Sequence, residues 1–351
     1  MPASTAVRLF TSTLAALLLT GCNPFSDARP MMEEYVERVG RVLDAEPVLS
    51  EVPAAKPIPR RRNRVLPMPE LELGMLDFLS LYGCELQYVV GEKNSVMGKV
   101  MQPLNRLRYE VRFIRAATEC LETVEGEELE SVLKQAIASK RESLPIAVWN
   151  ATWGVEEVET LFTLAKDEYP VEAKDALSDL ARDVRQLNKS VAALLVQDLE
   201  VDLSFWGKVH QRWQAEYRAG QLLNSARLVA TRLEDGTRLL RLRLNSRPLC
   251  FNGKPNSQSD IVQSMFFSIY IGKIQPYLAD IRRARTDLIE PLHELAIRQA
   301  EVMPKAFQEW SRSTLVLQGH DSAWANLDNA VTTHTKAWQA LLEQCGLRPG
   351  A

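Results

Sequence analysis

The residues best suited to covalent chemistry in the body of the chain are four cysteines: Cys84, Cys120, Cys250 and Cys345. In an oxidising compartment four thiols predict two disulfides, and three connectivities are possible. Proximity in the sequence favours pairing Cys84 with Cys120 and Cys250 with Cys345.

One geometric objection applies to the first of these pairs. On a simple helical hairpin that turns near Asn94, Cys84 and Cys120 lie at unequal distances from the turn, and only a break at Gly83 would let them meet. The alternative of free buried thiols stays open, since a reduced cysteine packs as a small apolar side chain. No CxxC or Cys/His ligand spacing occurs, so neither a redox motif nor a zinc site is indicated.

The histidines are scattered and form no HExxH or paired-ligand pattern: His210, His293, His320 and His334. The sequence also contains no GxSxG elbow and no glycine-rich loop of the kind that cradles phosphate. We therefore interpret the histidines as structural, and we predict no catalytic residue, no metal site and no cofactor.

A stripe of aromatic residues follows Ser204, a residue placed to cap a helix. At helical spacing its members share one face, and two interpretations arise. The stripe could be a platform for a glycan, although core packing is the more common use of such a pattern. The stripe consists of Trp206, Val209, His210, Trp213 and Tyr217.

Arg241 and Arg243 alternate with leucines directly after the turn-forming pair Asp235-Gly236. Strict alternation around such a turn predicts a small β-hairpin over residues 228–250, with leucines on one face and both arginines on the other. Two guanidinium groups on one face, extended by Arg247, are a candidate docking site for an anionic partner or a lipid head group. A solvated face with local salt bridges is the favoured alternative.

Residues 1–21 have the pattern of an export signal, with one positive charge at Arg8, a short apolar run and small residues at the end. The apolar run is too short to cross a bilayer, which needs about 20 residues. The following Leu19-Thr20-Gly21-Cys22 resembles the lipobox of bacterial lipoproteins. The resemblance implies cleavage before Cys22, a diacylglyceryl group on its thiol and an acyl chain on its amino group. The alternative is an ordinary cleaved signal in which Cys22 has no such role.

The expected partner of Cys22 is therefore a lipid bilayer. Asn23 follows the cysteine, where the inner-membrane retention signal of enteric-type lipoproteins has aspartate, so the resemblance favours the outer membrane, facing the periplasm. Nucleic acid is not an expected partner, because a formal charge of -3 lacks the electrostatic attraction that dominates such binding.

In the mature chain, the sequence predicts a polar tether over residues 22–30 and a helical domain over residues 31–351. Five prolines make residues 52–70 an extended connection rather than a helix. Apolar residues elsewhere recur at helical spacing, with Pro103 predicting a kink or a later helix start and Pro276 a kink or restart. These patterns predict an all-α, elongated multi-helix bundle with one small β-hairpin.

Several short stretches resemble an uncharacterised family of Gram-negative lipoproteins, known as a domain of unknown function. The resemblance implies a helical envelope lipoprotein and supplies no activity, ligand or functional residue. The stretches are Leu76-Asp77-Phe78-Leu79, Gly83-Cys84-Glu85-Leu86, Glu92-Lys93-Asn94-Ser95, Arg108-Tyr109-Glu110 and Ile274-Gln275-Pro276-Tyr277-Leu278.

Two classes of function are compatible with these patterns. The first is a non-enzymatic binding or scaffolding lipoprotein, motivated by the missing catalytic motifs and the short tether, with an envelope protein or the cell wall as partner. The second is an envelope hydrolase that acts on cell-wall glycan near Trp206 and Trp213. Convergent buried carboxylates in a deep pocket would favour the enzyme, and an exposed apolar groove would favour a partner protein.

Overall fold

The computed structural model describes residues 27–347, apart from residues 70–80, 82, 95–99 and 174–176. In that part of the chain every regular element is helical, which confirms the all-α class. The α-helices are α1 (Ala28–Leu43), α2 (Glu85–Asn94), α3 (Pro103–Cys120), α4 (Glu127–Thr152), α5 (Glu157–Leu161), α6 (Ser178–Leu195), α7 (Trp206–Ala215), α8 (Arg218–Ser246), α9 (Ser257–Met265), α10 (Gln275–Ala284), α11 (Glu290–Ile297), α12 (Lys305–Thr314) and α13 (Ala323–Glu343).

Helix α8 lies at the centre of the main core, between α1 and α13. An ion pair between Glu33 and Arg232 and a hydrogen bond from Arg243 to the Leu43 carbonyl show that α1 and α8 run in the same direction. Thr237 of α8 contacts His334 of α13, and both side chains are buried. The three helices therefore enclose polar as well as apolar side chains.

The predicted β-hairpin at residues 228–250 is wrong, because residues 228–246 are the second half of α8 and no strand occurs in the described residues. Asp235 does not open a turn; its buried carboxylate accepts hydrogen bonds from Arg232 and Arg238 within the helix. Leu240 is fully buried while Leu242 is 56% exposed, as a helical period requires. A central helix is buried on several sides, so its sequence lacks the clear amphipathic period of a surface helix.

Residues 257–297 form one unbroken helical run in which two π-helical segments join α9, α10 and α11. The segments are Phe266–Ile274 and Arg285–Ile289, and each lies shortly before a proline, Pro276 or Pro291. Proline removes an N–H donor and crowds the preceding turn. The wider turns provide that room, so the run continues through Pro276 where the sequence predicts a kink or a restart.

A second, smaller core lies between α2, α3 and α4. Gly83 has a positive φ of 91°, which breaks the chain direction just before α2, and α3 starts at Pro103. This break brings Cys84 to Cys120, and the two form a disulfide. The second disulfide joins Cys250, beyond α8, to Cys345, beyond α13. These pairs are the two that proximity in the sequence favours.

The described part of the proline-rich connection, residues 52–69, holds only one short 3₁₀ turn, Arg61–Asn63. Its backbone is fastened to the body by side chains: Trp310 donates to the Lys56 carbonyl and Trp149 to the Arg64 carbonyl. The Arg64 side chain is fully buried and contacts Glu159. Because these contacts satisfy the extended backbone, the connection is a fixed part of the surface.

Candidate functional site

A buried polar cluster connects α1, α8 and α13 at the centre of the main core. The Tyr35 hydroxyl lies 2.5 Å from His334 Nε2, and the Trp338 indole N–H donates to the Tyr35 oxygen at 2.8 Å. On the other side of the ring, His334 Nδ1 lies 2.9 Å from the Thr237 hydroxyl. All three aromatic side chains are fully buried, so no ligand reaches them from solvent.

The hydrogen bonds of Thr237 fix the tautomer of this histidine. Thr237 donates its hydroxyl hydrogen to the Leu233 carbonyl at 2.7 Å, so its oxygen accepts from His334 Nδ1–H. Nε2 then accepts from Tyr35. Burial lowers the pKa of His334 to about 3, against a smaller raising effect from the Leu233 carbonyl, and burial raises the pKa of Tyr35 well above its ordinary value. Both groups are neutral, and the cluster serves packing.

The described residues enclose a cleft of about 470 Å³ at the start of α1, which we call the α1 cleft. Its volume lies within the range of small-molecule sites, roughly 300–1,000 Å³. Four parts of the chain line it: the first turn of α1, the extended residues 51–55, the loop 164–168 after α5, and α8. Its charged and amide side chains are Arg29, Glu51, Lys166, Asp167, Glu168, Asn224 and Arg227.

Helix α8 holds the loop in place. A Cβ at Gly220 would lie 1.9 Å from the Thr163 carbonyl oxygen, so only glycine allows the loop backbone to approach this closely. Asn224 donates to the Lys166 carbonyl at 2.7 Å, and Ser225 accepts from the Tyr169 N–H at 2.7 Å. The loop that forms one wall of the cleft is therefore fixed by α8 at both ends.

The charges in the α1 cleft differ in their surroundings. Arg29 and Glu168 neutralise each other across the cleft at 2.5 Å. Arg227 is half-buried and donates to the Ala54 carbonyl at 3.2 Å. Lys166 is exposed, with its ammonium 5.0 Å from the centre of the Tyr217 ring. Neither Arg227 nor Lys166 has a carboxylate within ion-pair distance in the described part of the chain.

The predicted arginine stripe does not form, because Arg241 and Arg243 lie on a helix. Two residues apart, their side chains leave α8 on different sides. Arg241 is exposed, whereas Arg243 is buried and donates to Gln258 Oε1 at 3.1 Å. Arg247 forms an ion pair with Asp44. The shared face that motivated a docking site is absent.

The aromatic stripe of α7 belongs to the core. Trp206 and Trp213 are fully buried. His210 donates its Nε2–H to the Ala151 carbonyl oxygen at 3.0 Å, and burial lowers its pKa. Such side chains cannot stack on a glycan. Cys22, the predicted lipid attachment residue, lies outside the described residues.

No pattern in the sequence indicates the α1 cleft. Arg29, Glu51, Lys166 and Arg227 belong to four separate parts of the chain, and none falls in a motif. The one local signal was Gly220 near the start of a helix, where glycine is unfavourable unless packing requires it.

The described residues also bear on membrane and metal chemistry. None of their helices is both long and apolar enough to cross a bilayer. Within the same residues, no three His, Cys, Asp or Glu side chains lie close enough together to hold a metal ion.

Comparison with known proteins identifies a family. Residues 32–349 match the model of a family described as protein of unknown function (DUF3080), and the chain belongs to that family. The match confirms the expected membership of a family of unknown function, and it does not extend to the signal or to Cys22. No curated protein and no solved structure matches the chain.

Proposed function

We propose that this DUF3080 protein is a lipoprotein of the bacterial cell envelope, anchored through acylated Cys22, whose folded body binds a small polar ligand in the α1 cleft. The anchor is supported by the order of charge, apolar run, small residues and cysteine in residues 1–22. The binding role is supported by one observation: a cleft of ligand size lined by charges of both signs.

The anchor and the cleft lie at the same end of α1. Helix α1 begins at Ala28, earlier than the sequence predicts, so only residues 23–27 separate it from Cys22. At about 3.3–3.6 Å per residue, that segment reaches at most roughly 20 Å. Arg29, in the first turn of α1, lines the cleft. The proposed anchor therefore holds the α1 cleft close to the bilayer surface, and Asn23 favours the outer membrane.

We propose binding without catalysis because of what the cleft contains. Its described lining has no serine, cysteine or histidine that would act as a nucleophile with an adjacent base. Its three carboxylates are not the convergent buried pair that a glycan hydrolase needs, because Glu51 and Asp167 are exposed and Glu168 is paired with Arg29. The alternative of a glycan hydrolase drew its support from the aromatic stripe of α7, which is buried.

A photo-crosslinking residue tests the binding role. In the full precursor expressed in its own host, the crosslinker replaces Ala165, an exposed residue of the cleft wall. We expect a light-dependent adduct, detected by mass spectrometry of the purified protein. The matched control replaces Ala215, an exposed alanine at the end of α7 that does not line the cleft.

The adduct should form at position 165 and not at position 215. Equal labelling of both positions, or no labelling at either, would contradict a ligand in the α1 cleft.

A further inference from the structure

Arg227 differs from most other buried arginines of this protein. Arg64, Arg106, Arg232 and Arg285 each form an ion pair with a carboxylate. Arg227 has none among the described residues, where its guanidinium donates to the Ala54 carbonyl at 3.2 Å. Burial lowers its pKa, with no opposing carboxylate. A desolvated guanidinium is costly unless an anion compensates it, so Arg227 is prepared for an anion that enters the cleft.

Lys166 provides a second cation in the same cleft. Its ammonium lies over the Tyr217 ring, which limits its movement without removing its charge. Arginine presents paired donors that match two oxygens, and lysine adds a point charge. Together they suit a group with one delocalised negative charge.

The carboxylates of the cleft restrict the ligand further. Arg29, Lys166 and Arg227 are balanced by Glu51, Asp167 and Glu168, so the lining has no net charge. Arg29 and Glu168 bind each other. Glu51 and Asp167 are exposed and have no ion pair within the described residues, whereas Arg227 is half-buried. The more buried unpaired charge is therefore positive, and the exposed unpaired charges are of both signs, with Lys166 beside Glu51 and Asp167.

We propose that the α1 cleft binds a zwitterion by its terminal carboxylate, which pairs with Arg227 and Lys166 while its ammonium group lies near Glu51 and Asp167. The class is a free amino acid or the end of a short peptide. This inference rests on the proposed function and names its ligand class.

The same arrangement disfavours two other anions. A phosphate dianion would leave a neutral lining with excess negative charge close to Glu51, Asp167 and Glu168. An ethanolamine head group of a phospholipid ends in its ammonium, so it would place a cation deepest, next to Arg227. A zwitterion that ends in a carboxylate has no net charge, and it places its negative group next to Arg227, as the charges of the cleft require.

Isothermal titration calorimetry on the full mature chain carrying Cys22→Ala tests the ligand class without the lipid. The probe is alanyl-alanine, compared with its amide, its N-acetyl form, alanine, inorganic phosphate and phosphoethanolamine. We expect alanyl-alanine or alanine to bind, the amide to lose binding, and the N-acetyl form to bind more weakly. The comparison of alanine with the dipeptide distinguishes a free amino acid from a peptide end.

Substitutions then locate the contact. Arg227→Gln and Lys166→Gln should each weaken binding about 10- to 100-fold, because each removes a charged hydrogen bond. Arg241 is exposed and lies far along the same helix, so Arg241→Gln should not change the binding affinity. Lys166 is exposed, so its variant keeps the test valid if Arg227→Gln does not fold.

Equal binding of the amide, tighter binding of phosphate or phosphoethanolamine, or no binding of any amino acid or dipeptide would overturn the carboxylate assignment. The crosslink at Ala165 distinguishes the proposed binding role from the proposed ligand class. An adduct at Ala165 without binding of an amino acid or dipeptide would mean that the cleft binds a different ligand.

Discussion

At the scale of single residues, His334 shows how a buried titratable group is kept neutral. Both ring nitrogens have partners, Thr237 on one side and Tyr35 on the other, and neither partner is a carboxylate. The cluster stabilises the neutral ring and contains no carboxylate to stabilise a positive charge. The folded protein therefore resists protonation of His334 down to about pH 3.

This has a consequence for stability at low pH. An unfolded histidine takes up a proton near pH 6.5, whereas folded His334 does so only near pH 3, so between these values the unfolded state binds more protons. We expect the free energy of unfolding to fall as pH drops from 6.5 toward 3, by roughly 1 kcal/mol per pH unit from this group. Urea unfolding measured between pH 7 and pH 4 checks the slope.

His334→Gln should be less stable at pH 7 by about 2 kcal/mol, because it leaves buried partners unsatisfied, and its stability should depend less on pH. His320→Gln, which replaces a fully exposed histidine, should behave as the wild type. If the free energy of unfolding falls with pH equally in the wild type and in His334→Gln, His334 is not responsible for the pH dependence.

At the scale of elements, the α1 cleft depends on how closely the loop after α5 approaches α8. The contact at Gly220 allows backbone to lie against backbone, and Asn224 and Ser225, one turn further, bind the loop. The wall of the cleft is thus positioned by one face of a long helix. A side chain at Gly220 would have to displace that wall.

We therefore expect Gly220→Ala to destabilise the protein by about 1–3 kcal/mol, because backbone must move to admit the methyl group. Crosslinking from position 165 should weaken as well. Gly207→Ala is the matched control: it is also helical, but a Cβ there would meet nothing within 4 Å, so this variant should be at least as stable as the wild type. Urea unfolding of both variants gives the comparison, and equal stability would mean that the loop yields easily.

At the scale of the whole molecule, the proposed anchor, the cleft and the disulfides form one arrangement. The segment between Cys22 and α1 is short, so the proposed acylation of Cys22 would keep the end of the bundle that contains the cleft near the lipid. The two disulfides close loops of 36 and 95 residues, and such closures stabilise a folded chain by about 3–5 kcal/mol each. Both fit the oxidising envelope that the signal implies.

Cys22→Ala should abolish incorporation of a radiolabelled fatty acid and release the protein from membranes, because only this thiol takes the diacylglyceryl group and each buried CH₂ contributes about 0.8 kcal/mol to anchoring. Ser26→Ala, in the same segment, should keep both label and membrane fractionation. A Cys22→Ala protein that still carries the label would refute the lipid anchor.

The features that could be predicted from the sequence are those that depend on residues close together along the chain. Helical spacing predicted the all-α class, and Pro103 predicted a kink or a later helix start, of which the later start is observed. The cysteine spacing favoured the two disulfides that form. These predictions succeed because an amphipathic period or a proline acts within one or two turns.

Tertiary structure decided what local patterns could not. Asp235-Gly236 has the composition of a turn, yet the stretch is helical because Asp235 pairs with Arg232 and Gly236 lies against His334. The α1 cleft joins Arg29, Glu51, Lys166 and Arg227, which are far apart in the chain. Only packing of α1, α8 and two connections brings them together, since neither charge nor periodicity in a single segment encodes contacts across such separations.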